Sequence, residues 1–238
     1  MSIQILHTND FHGNLTPAKA EFIRQTKCEH PHSLYFDSGD CIKTGNLGVP
    51  IKREAAWGLL SAAECDASVI GNRETHVLAS AFEAKIAGRG HPVLCANLVA
   101  KRGEPPLGSC LVLDIAGLRV GVFGVMVAMV TRRMSTQAAS AFLWDPPIQT
   151  AITYAAELRK ECDLVIALTH VGHRQDVELA GRTKDIDIIF GGHSHTVLSQ
   201  PERVRSTWIC QGGSHGKFLG RYEWSRDGSL SGGLIPLP

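Results

Sequence analysis

Short apolar runs that alternate with stretches of helical spacing constrain the fold of this chain most. The runs are four or five residues long, and several read as buried strands: Ile3 to Leu6, Ser33 to Phe36, Ala67 to Ile70, Pro92 to Ala96, Leu164 to Leu168 and Ile186 to Phe190. Helical spacing falls between them, at Pro17 to Thr26, Lys52 to Ala63, Leu78 to Ala87 and Pro147 to Lys160. The order is mainly strand, helix, strand, which predicts an α/β fold.

Two further pairs of runs indicate an antiparallel component. Cys110 to Ile115 and Arg119 to Val125 are joined at Ala116 and Gly117, which is a hairpin signal. The runs Thr207 to Gln211 and Phe218 to Trp224 give a similar hairpin signal. We therefore expect a layered α/β sandwich with mixed sheets, and we interpret residues 1–238 as one domain.

Charge and cysteine content limit which binding partners and which cellular compartment we expect for this protein. The 24 Lys and Arg residues nearly cancel the 23 Asp and Glu residues, so no large single-sign field favours a nucleic acid polymer or an anionic membrane. The N-terminus has no signal-peptide pattern, and no apolar stretch has membrane-spanning length. The seven scattered cysteines are typical of buried free thiols in a reducing compartment. These features favour a cytoplasmic protein without a membrane partner.

Five short segments carry metal-type ligands directly after an apolar run, where the loops of an α/β sheet build a site. In chain order, they contain Asp10 and His12, then Asp40, then Asn72, then His170, and finally His193 and His195. Each segment alone fits a turn or a capping residue equally well, and short motifs often match by chance. Five such turns after five strands are hard to obtain by chance, so we interpret them together as a metal site.

These segments, with the glycine-rich stretch from Gln211 to Gly220, resemble the calcineurin-like metallophosphoesterases along nearly the whole chain. Within that family the chain is most similar to the N-terminal domain of bacterial 5'-nucleotidases. The resemblance implies a layered α/β/β/α sandwich with two mixed central sheets. It also implies that one metal is bound by Asp10, His12, Asp40 and His195, the other by Asp40, Asn72, His170 and His193, and that Asp40 bridges the two.

A mixed nitrogen and oxygen ligand set suits divalent or trivalent transition metals, and we expect Mn, Zn or Fe. Two such ions clamp the oxygens of a small phosphate ester and activate a metal-bridged hydroxide. Accordingly, the expected function is hydrolysis of phosphate monoesters, including nucleotides. We assign no nucleophilic role to Ser38, Ser194 or any cysteine.

The sequence departs from the family pattern where a histidine usually donates the proton to the leaving group. Arg73 stands at that position, and His76 stands where nucleotidases carry an aspartate that assists it. A guanidinium stays charged and binds phosphoryl oxygens. We therefore expect Arg73 to hold the phosphate and His76 to supply the proton. That His76 merely starts the next helix is the alternative.

The resembled nucleotidases continue into a C-terminal domain that grips the nucleoside, whereas this sequence ends at Pro238. Nucleotide specificity is therefore not carried over, and the organic group would be bound by local loops such as Lys43 to Pro50 or Val127 to Ser135. The alternatives are a phosphodiesterase that uses the same site and a non-catalytic metal-binding or phospholigand-binding module. We expect a monomer or homodimer, and we expect His7 and His173 to be either partners that orient the ligands or ordinary core and surface histidines.

Overall fold

The computed structural model describes residues 2–238, and its strands form two six-stranded sheets and one two-stranded ribbon. The strands are β1 (Ser2–Thr8), β2 (Ser33–Asp37), β3 (Ala67–Val69), β4 (Val93–Leu94), β5 (Leu98–Ala100), β6 (Cys110–Ile115), β7 (Leu118–Met126), β8 (Phe142–Trp144), β9 (Leu164–His170), β10 (Ile188–Gly191), β11 (Glu202–Val204), β12 (Thr207–Cys210), β13 (Phe218–Ser225) and β14 (Leu230–Pro236). The helices are α1 (Pro17–Cys28), α2 (Ala55–Ala62), α3 (Ala79–Ile86), α4 (Pro147–Leu158) and α5 (His173–Arg182), with a 3₁₀ turn at Ser135–Ala139.

Both large sheets combine parallel and antiparallel strands, with antiparallel pairing at one edge of the first sheet and at both edges of the second. The first sheet has the order β14-β13-β1-β2-β3-β4, in which β1 to β4 are parallel. The second has the order β11-β12-β10-β9-β7-β6, in which β12, β10, β9 and β7 are parallel. β5 and β8 form the ribbon. The predicted mixture of parallel and antiparallel pairing is confirmed.

The two sheets pack face to face, and helices cover their outer faces. Ile5 and Phe36 of the first sheet share one buried cluster with Val122, Ile166 and Phe190 of the second. A second cluster joins the first sheet to α1, α2 and α3, and a third joins the second sheet to α4 and α5. This α/β/β/α order of layers confirms the predicted fold class. None of the helices in residues 2–238 is both long and apolar enough to cross a membrane.

Local sequence explains where the first helix begins. The Thr16 hydroxyl accepts a hydrogen bond from the Lys19 N–H at 3.2 Å, and Pro17 occupies the first turn, where no N–H donor is needed. Other boundaries differ from those predicted. The predicted strand from Pro92 to Ala96 shortens to Val93–Leu94 at the edge of its sheet, where Pro92 cannot donate a ladder hydrogen bond.

The second predicted hairpin was wrong. Its two runs, Thr207 to Gln211 and Phe218 to Trp224, form β12 and β13, which belong to different sheets. Asn9 fixes the connection between them by accepting a hydrogen bond from the Gly212 N–H at 2.8 Å and donating one to the Gly213 carbonyl at 2.7 Å. The chain therefore crosses from one sheet to the other above the end of β1.

The cysteine prediction was partly wrong, since Cys28 and Cys110 are exposed. The other five cysteines are buried, and all seven are free thiols, as expected. Cys110 opens the edge strand β6, where side chains face solvent although their neighbours in the sequence are apolar.

Candidate metal centre

The carboxyl ends of β1, β2, β3, β9 and β10 lie at the same edge of the sandwich, and all seven proposed ligands lie at or just beyond them. Parallel strands end at one edge of their sheet, so sequence segments that are far apart meet there. A hydrogen bond between loops of the two sheets shows this meeting most directly. The His193 N–H, after β10, donates a hydrogen bond to Asp10 Oδ2, after β1, at 2.9 Å.

The first ligand group consists of Asp10, His12 and His195, with Asp40 at its side. His12 Nε2 lies 3.0 Å from His195 Nε2 and 3.4 Å from Asp10 Oδ1, which is 3.3 Å from His195 Nε2. Asp40 Oδ2 lies 3.9 Å from His12 Nε2. Ligand atoms around one transition-metal ion lie roughly 3.0 to 3.5 Å apart because metal–ligand bonds are about 2.1 Å long. These distances fit a cation.

The second group consists of Asp40, Asn72, His170 and His193. His170 Nε2 lies 3.6 Å from Asp40 Oδ1 and 3.2 Å from Asn72 Oδ1, and His193 Nδ1 lies 2.9 Å from the same Asn72 oxygen. Asp40 therefore turns one carboxylate oxygen toward each group. The structure brings together all seven residues selected from the sequence, and their division into two ligand sets stays a prediction.

The backbone at these positions is strained. Asp10, His12, Asp40, His193 and His195 have φ angles of 53°, 50°, 55°, 75° and 54°, in the left-handed region that non-glycine residues rarely adopt. Each such residue costs on the order of 1 kcal/mol or more, and such conformations concentrate at functional sites. The fold thus holds these five side chains in directions that ordinary turns would not give.

Asp10 shows most directly that a cation fits. Its carboxylate is fully buried, and Oδ1 has no hydrogen-bond partner within the described residues. Burial raises the pKa of Asp10, but the His12 imidazole 3.4 Å from Oδ1, the nearby His170 and the hydrogen bonds that Oδ2 accepts outweigh it, so the net shift is downward. A buried carboxylate that stays ionised with a bare oxygen is costly without a countercharge. The imidazole and carboxylate donors around it suit a transition-metal ion.

A main-chain contact orients His170. Its Nδ1 lies 2.7 Å from the Ser38 carbonyl oxygen and donates to it, which leaves the Nε2 lone pair facing Asp40 and Asn72. Burial lowers the pKa of His7 to about 3, against the opposing effect of Asp10, so the ring is neutral. His7 Nε2 donates to Ser38 Oγ at 3.0 Å, and Ser38 Oγ donates to the Phe190 carbonyl at 2.7 Å. His7 thus contacts the serine that orients a ligand.

Two further histidines, His173 and His215, make different contacts. His173 begins α5 and its Nε2 pairs with Glu202 at 2.7 Å, so it contacts a surface carboxylate. His215 stacks on His12 with ring centroids 5.0 Å apart and an interplanar angle of 14°. It therefore borders the first ligand group at the mouth of the site.

Glu74 joins two of the ligand loops, and we did not select it from the sequence. Its buried carboxylate accepts hydrogen bonds from the N–H groups of Asp40 (2.9 Å), Ile42 (3.1 Å) and Gly71 (2.8 Å). Burial and the nearby Asp40 charge raise its pKa, although the Ile42 and Gly71 N–H groups and His170 oppose the shift. Its position in the segment Gly71-Asn72-Arg73-Glu74, directly after a strand, was the only signal in the sequence.

Arg73 lies beside the bridging carboxylate. Its backbone N–H donates to Asp40 Oδ1 at 2.7 Å, its Nε lies 4.0 Å from Asp40 Oδ2, and Nη1 donates to the Lys43 carbonyl at 3.1 Å. His76 lies further along, and its Nδ1 accepts a hydrogen bond from the Leu78 N–H at 3.0 Å, just before α3.

Known proteins resemble this chain in sequence and in fold. The model of the family described as calcineurin-like phosphoesterase matches residues 3–197. The trifunctional nucleotide phosphoesterase protein YfkN of Bacillus subtilis is 27% identical over 94% of this chain and 18% of its own length. A 5'-nucleotidase of Vibrio vulnificus is 26% identical over 99% of this chain and 51% of its own.

Among solved structures, the 5'-nucleotidase precursor of Thermus thermophilus superposes with a TM-score of 0.81 over all of this chain and 55% of its own, at 20% identity. At that identity the likeness shows the fold. The chain spans about half or less of the length of these relatives. Since the family model covers most of the sequence, the chain belongs to the calcineurin-like phosphoesterase family, which confirms the resemblance and the prediction of a phosphoester hydrolase at the level of the family.

Proposed function

We propose that the chain hydrolyses small phosphate monoesters, nucleotides among them, at a site that binds two transition-metal ions. The proposal rests mainly on the position of the Asp40 carboxylate, whose two oxygens face different ligand groups. Oδ2 faces His12 of the first ligand group and Oδ1 faces His170 of the second, at 3.9 and 3.6 Å. A carboxylate shared in this way is the natural bridge between two cations. Mn, Zn or Fe suits the mixed donor set.

When bound, the two ions supply positive charge for the phosphate oxygens and lower the pKa of water so that it can attack phosphorus near neutral pH. The hydroxyl groups of Ser38 and Ser194 are engaged in hydrogen bonds, which supports attack by water rather than by either serine. Ser38 Oγ donates to the Phe190 carbonyl at 2.7 Å, and Ser194 Oγ donates to Gln211 Oε1 at 2.7 Å. Neither serine takes a covalent role in the proposed reaction.

Arg73 binds the phosphoryl group in this proposal. Its guanidinium carries five donors in a planar fork, and its side chain is partly exposed beside Asp40. His76 supplies the proton to the departing oxygen. Positioned acid catalysis contributes roughly 10²- to 10⁴-fold, so His76→Ala should slow an ester with a poor leaving group far more than p-nitrophenyl phosphate. Equal slowing of both esters would reject this role.

The main experiment is a screen of phosphate esters with protein reconstituted in Mn²⁺, Zn²⁺, Co²⁺ or Fe²⁺, run beside Asp40→Asn. We expect turnover of p-nitrophenyl phosphate by the wild type and a loss of at least 100-fold in the variant, because the bridge is removed. Faster turnover of the bis ester than of the monoester would favour the phosphodiesterase alternative. Metal retention without turnover of any ester would favour a non-catalytic binding module.

A further inference from the structure

We propose that a small apolar cavity beside the second ligand group binds a flat ring in the organic part of the substrate, and this inference rests on the proposed function. The cavity has a volume of about 230 Å³. Asn46, Leu47, His76, Met129, Thr136 and Trp144 contribute to its lining. It therefore lies between the two loops that precede α2 and follow β7.

Asn46 connects the cavity to the proposed metal site. It lines the cavity, and its Oδ1 accepts a hydrogen bond from Asn72 Nδ2 at 2.9 Å. Asn72 Oδ1 in turn faces His170 and His193. Only one side chain thus separates the cavity from a proposed metal ligand. A phosphate held at the ligands would have its organic group within reach of the cavity.

Lys85 fixes the wall between them. Its fully buried ammonium lies within hydrogen-bond distance of the carbonyl oxygens of Gly45 (2.8 Å), Asn46 (3.0 Å), Arg73 (2.6 Å) and Thr75 (3.0 Å), which share its three N–H donors. These carbonyls belong to the two segments that form the cavity wall and carry the proposed phosphate contacts. A wall held in this way is organised before a ligand arrives, which reduces the ordering cost of binding.

The size and chemistry of the cavity indicate the class of ligand. An apolar cavity of about 150 Å³ is known to hold benzene, so this volume suits one ring with small substituents. Leu47 and Met129 supply apolar surface, and Trp144 supplies an aromatic face. Trp144 is 3% exposed, so it forms part of the packed wall of the cavity.

The mouth of the cavity is open to a ligand. Leu47 is 91% exposed and Val77 is 37% exposed, and both line the cavity. Large apolar side chains in solvent commonly mark a surface that binds something apolar. Because the same cavity borders His76, a ring bound there would put the ester oxygen on the side of the proposed acid.

The first test compares two phosphonates that differ only in the ring. Calorimetric titration of the metal-loaded protein should show phenylphosphonate binding about tenfold more tightly than methylphosphonate. Thr136→Trp fills the cavity from an exposed position and should reduce that ratio toward one. Thr153→Trp, at an exposed threonine on α4, is the matched control and should keep the ratio. Equal affinities for the two phosphonates in the wild type would overturn the proposal.

The second test uses the fluorescence of Trp144, which does not depend on turnover. Phenylphosphonate should change the tryptophan emission of the wild type and methylphosphonate should not. Trp144→Phe should remove the response. A ring-specific response that survives Trp144→Phe would mean that the ring binds elsewhere, and it would overturn the proposal.

Two pairs of substrates distinguish an aryl ester from a nucleotide as the molecule that carries the ring. A lower KM for phenyl phosphate than for methyl phosphate supports an aryl ester, and a lower KM for uridine monophosphate than for ribose 5-phosphate supports a nucleobase. Turnover with no ring advantage in either pair would reject the cavity proposal alone. Ring-specific phosphonate binding without turnover of any ester would reject the proposed hydrolysis and leave the cavity proposal standing.

Discussion

Replacing Asp176 by asparagine should change how the free energy of unfolding depends on pH. Asp176 lies in the first turn of α5 and is fully buried. Thr169 Oγ1 donates to its Oδ1 at 2.6 Å, and Oδ2 has no partner within the described residues. Burial raises the pKa from an ordinary value of 3.8 to about 7, although the Thr169 bond and His170 oppose it.

The sign follows from proton binding. A carboxyl whose pKa is higher in the folded state contributes most stability below its unfolded pKa, and that contribution is lost as pH rises through the folded pKa. Each factor of ten in proton affinity is worth about 1.36 kcal/mol. With a pKa near 7 instead of 3.8, the wild type should lose about 3 kcal/mol relative to Asp176→Asn between about pH 5 and about pH 8.

Urea denaturation of the two metal-free proteins across this pH range measures the difference. Asparagine keeps an oxygen for Thr169, and its unpartnered amide adds a cost that does not vary with pH, so the slope is the decisive quantity. Other groups titrate equally in both proteins and cancel. Parallel stability curves for the wild type and the variant would refute the reasoning.

Three further predictions concern the residues around the site and the binding of metal to it. Lys85→Met should lower the free energy of unfolding by about 3 kcal/mol in urea denaturation, because four carbonyls lose a charged donor; an unchanged midpoint would contradict this. Gly71→Ala should abolish metal retention, measured by elemental analysis, because the new Cβ would collide with Asp40 and lie 2.7 Å from His170 Cε1. Gly58→Ala is the control: it has open space around it and should retain metal. Free metal at about 100 times its Kd should stabilise the protein by about 2.7 kcal/mol for each ion bound in thermal melts, and a chelator should reverse this; a chelator without effect would argue against binding.

The architecture of layers and the ligand-bearing turns were predictable because apolar runs mark buried strands strongly. α5 was not predicted. Its sequence is polar, only Asp176, Leu179 and Ala180 of its residues are buried, and it follows a glycine with a φ of 89°. The strands β5 and β8 were missed because each is three residues long and its partner lies far away in the sequence. β11 is equally short, and β14 contains Ser231, Gly232 and Gly233, which interrupt its apolar pattern, so neither was visible although each pairs with its neighbour in the sequence.

The proposed ligands could be selected because histidine and aspartate directly after strands are visible in a sequence. The residues that hold the ligands in place could not be selected. Lys85 looks like any lysine of an amphipathic helix, yet it is fully buried against four carbonyls. Glu74 likewise acts through backbone N–H groups that become neighbours only after two loops fold together. The interpretation of residues 1–238 as one domain, the cytoplasmic location and the monomeric or homodimeric state stay predictions.

Metal content per chain tests the proposed bridging site most directly. Elemental analysis of metal-saturated, gel-filtered protein should find close to two transition-metal ions in the wild type and one or fewer in Asp40→Asn, because that carboxylate faces both ligand groups. A wild type that retains no metal, or an Asp40→Asn variant that retains as much as the wild type, would contradict the account.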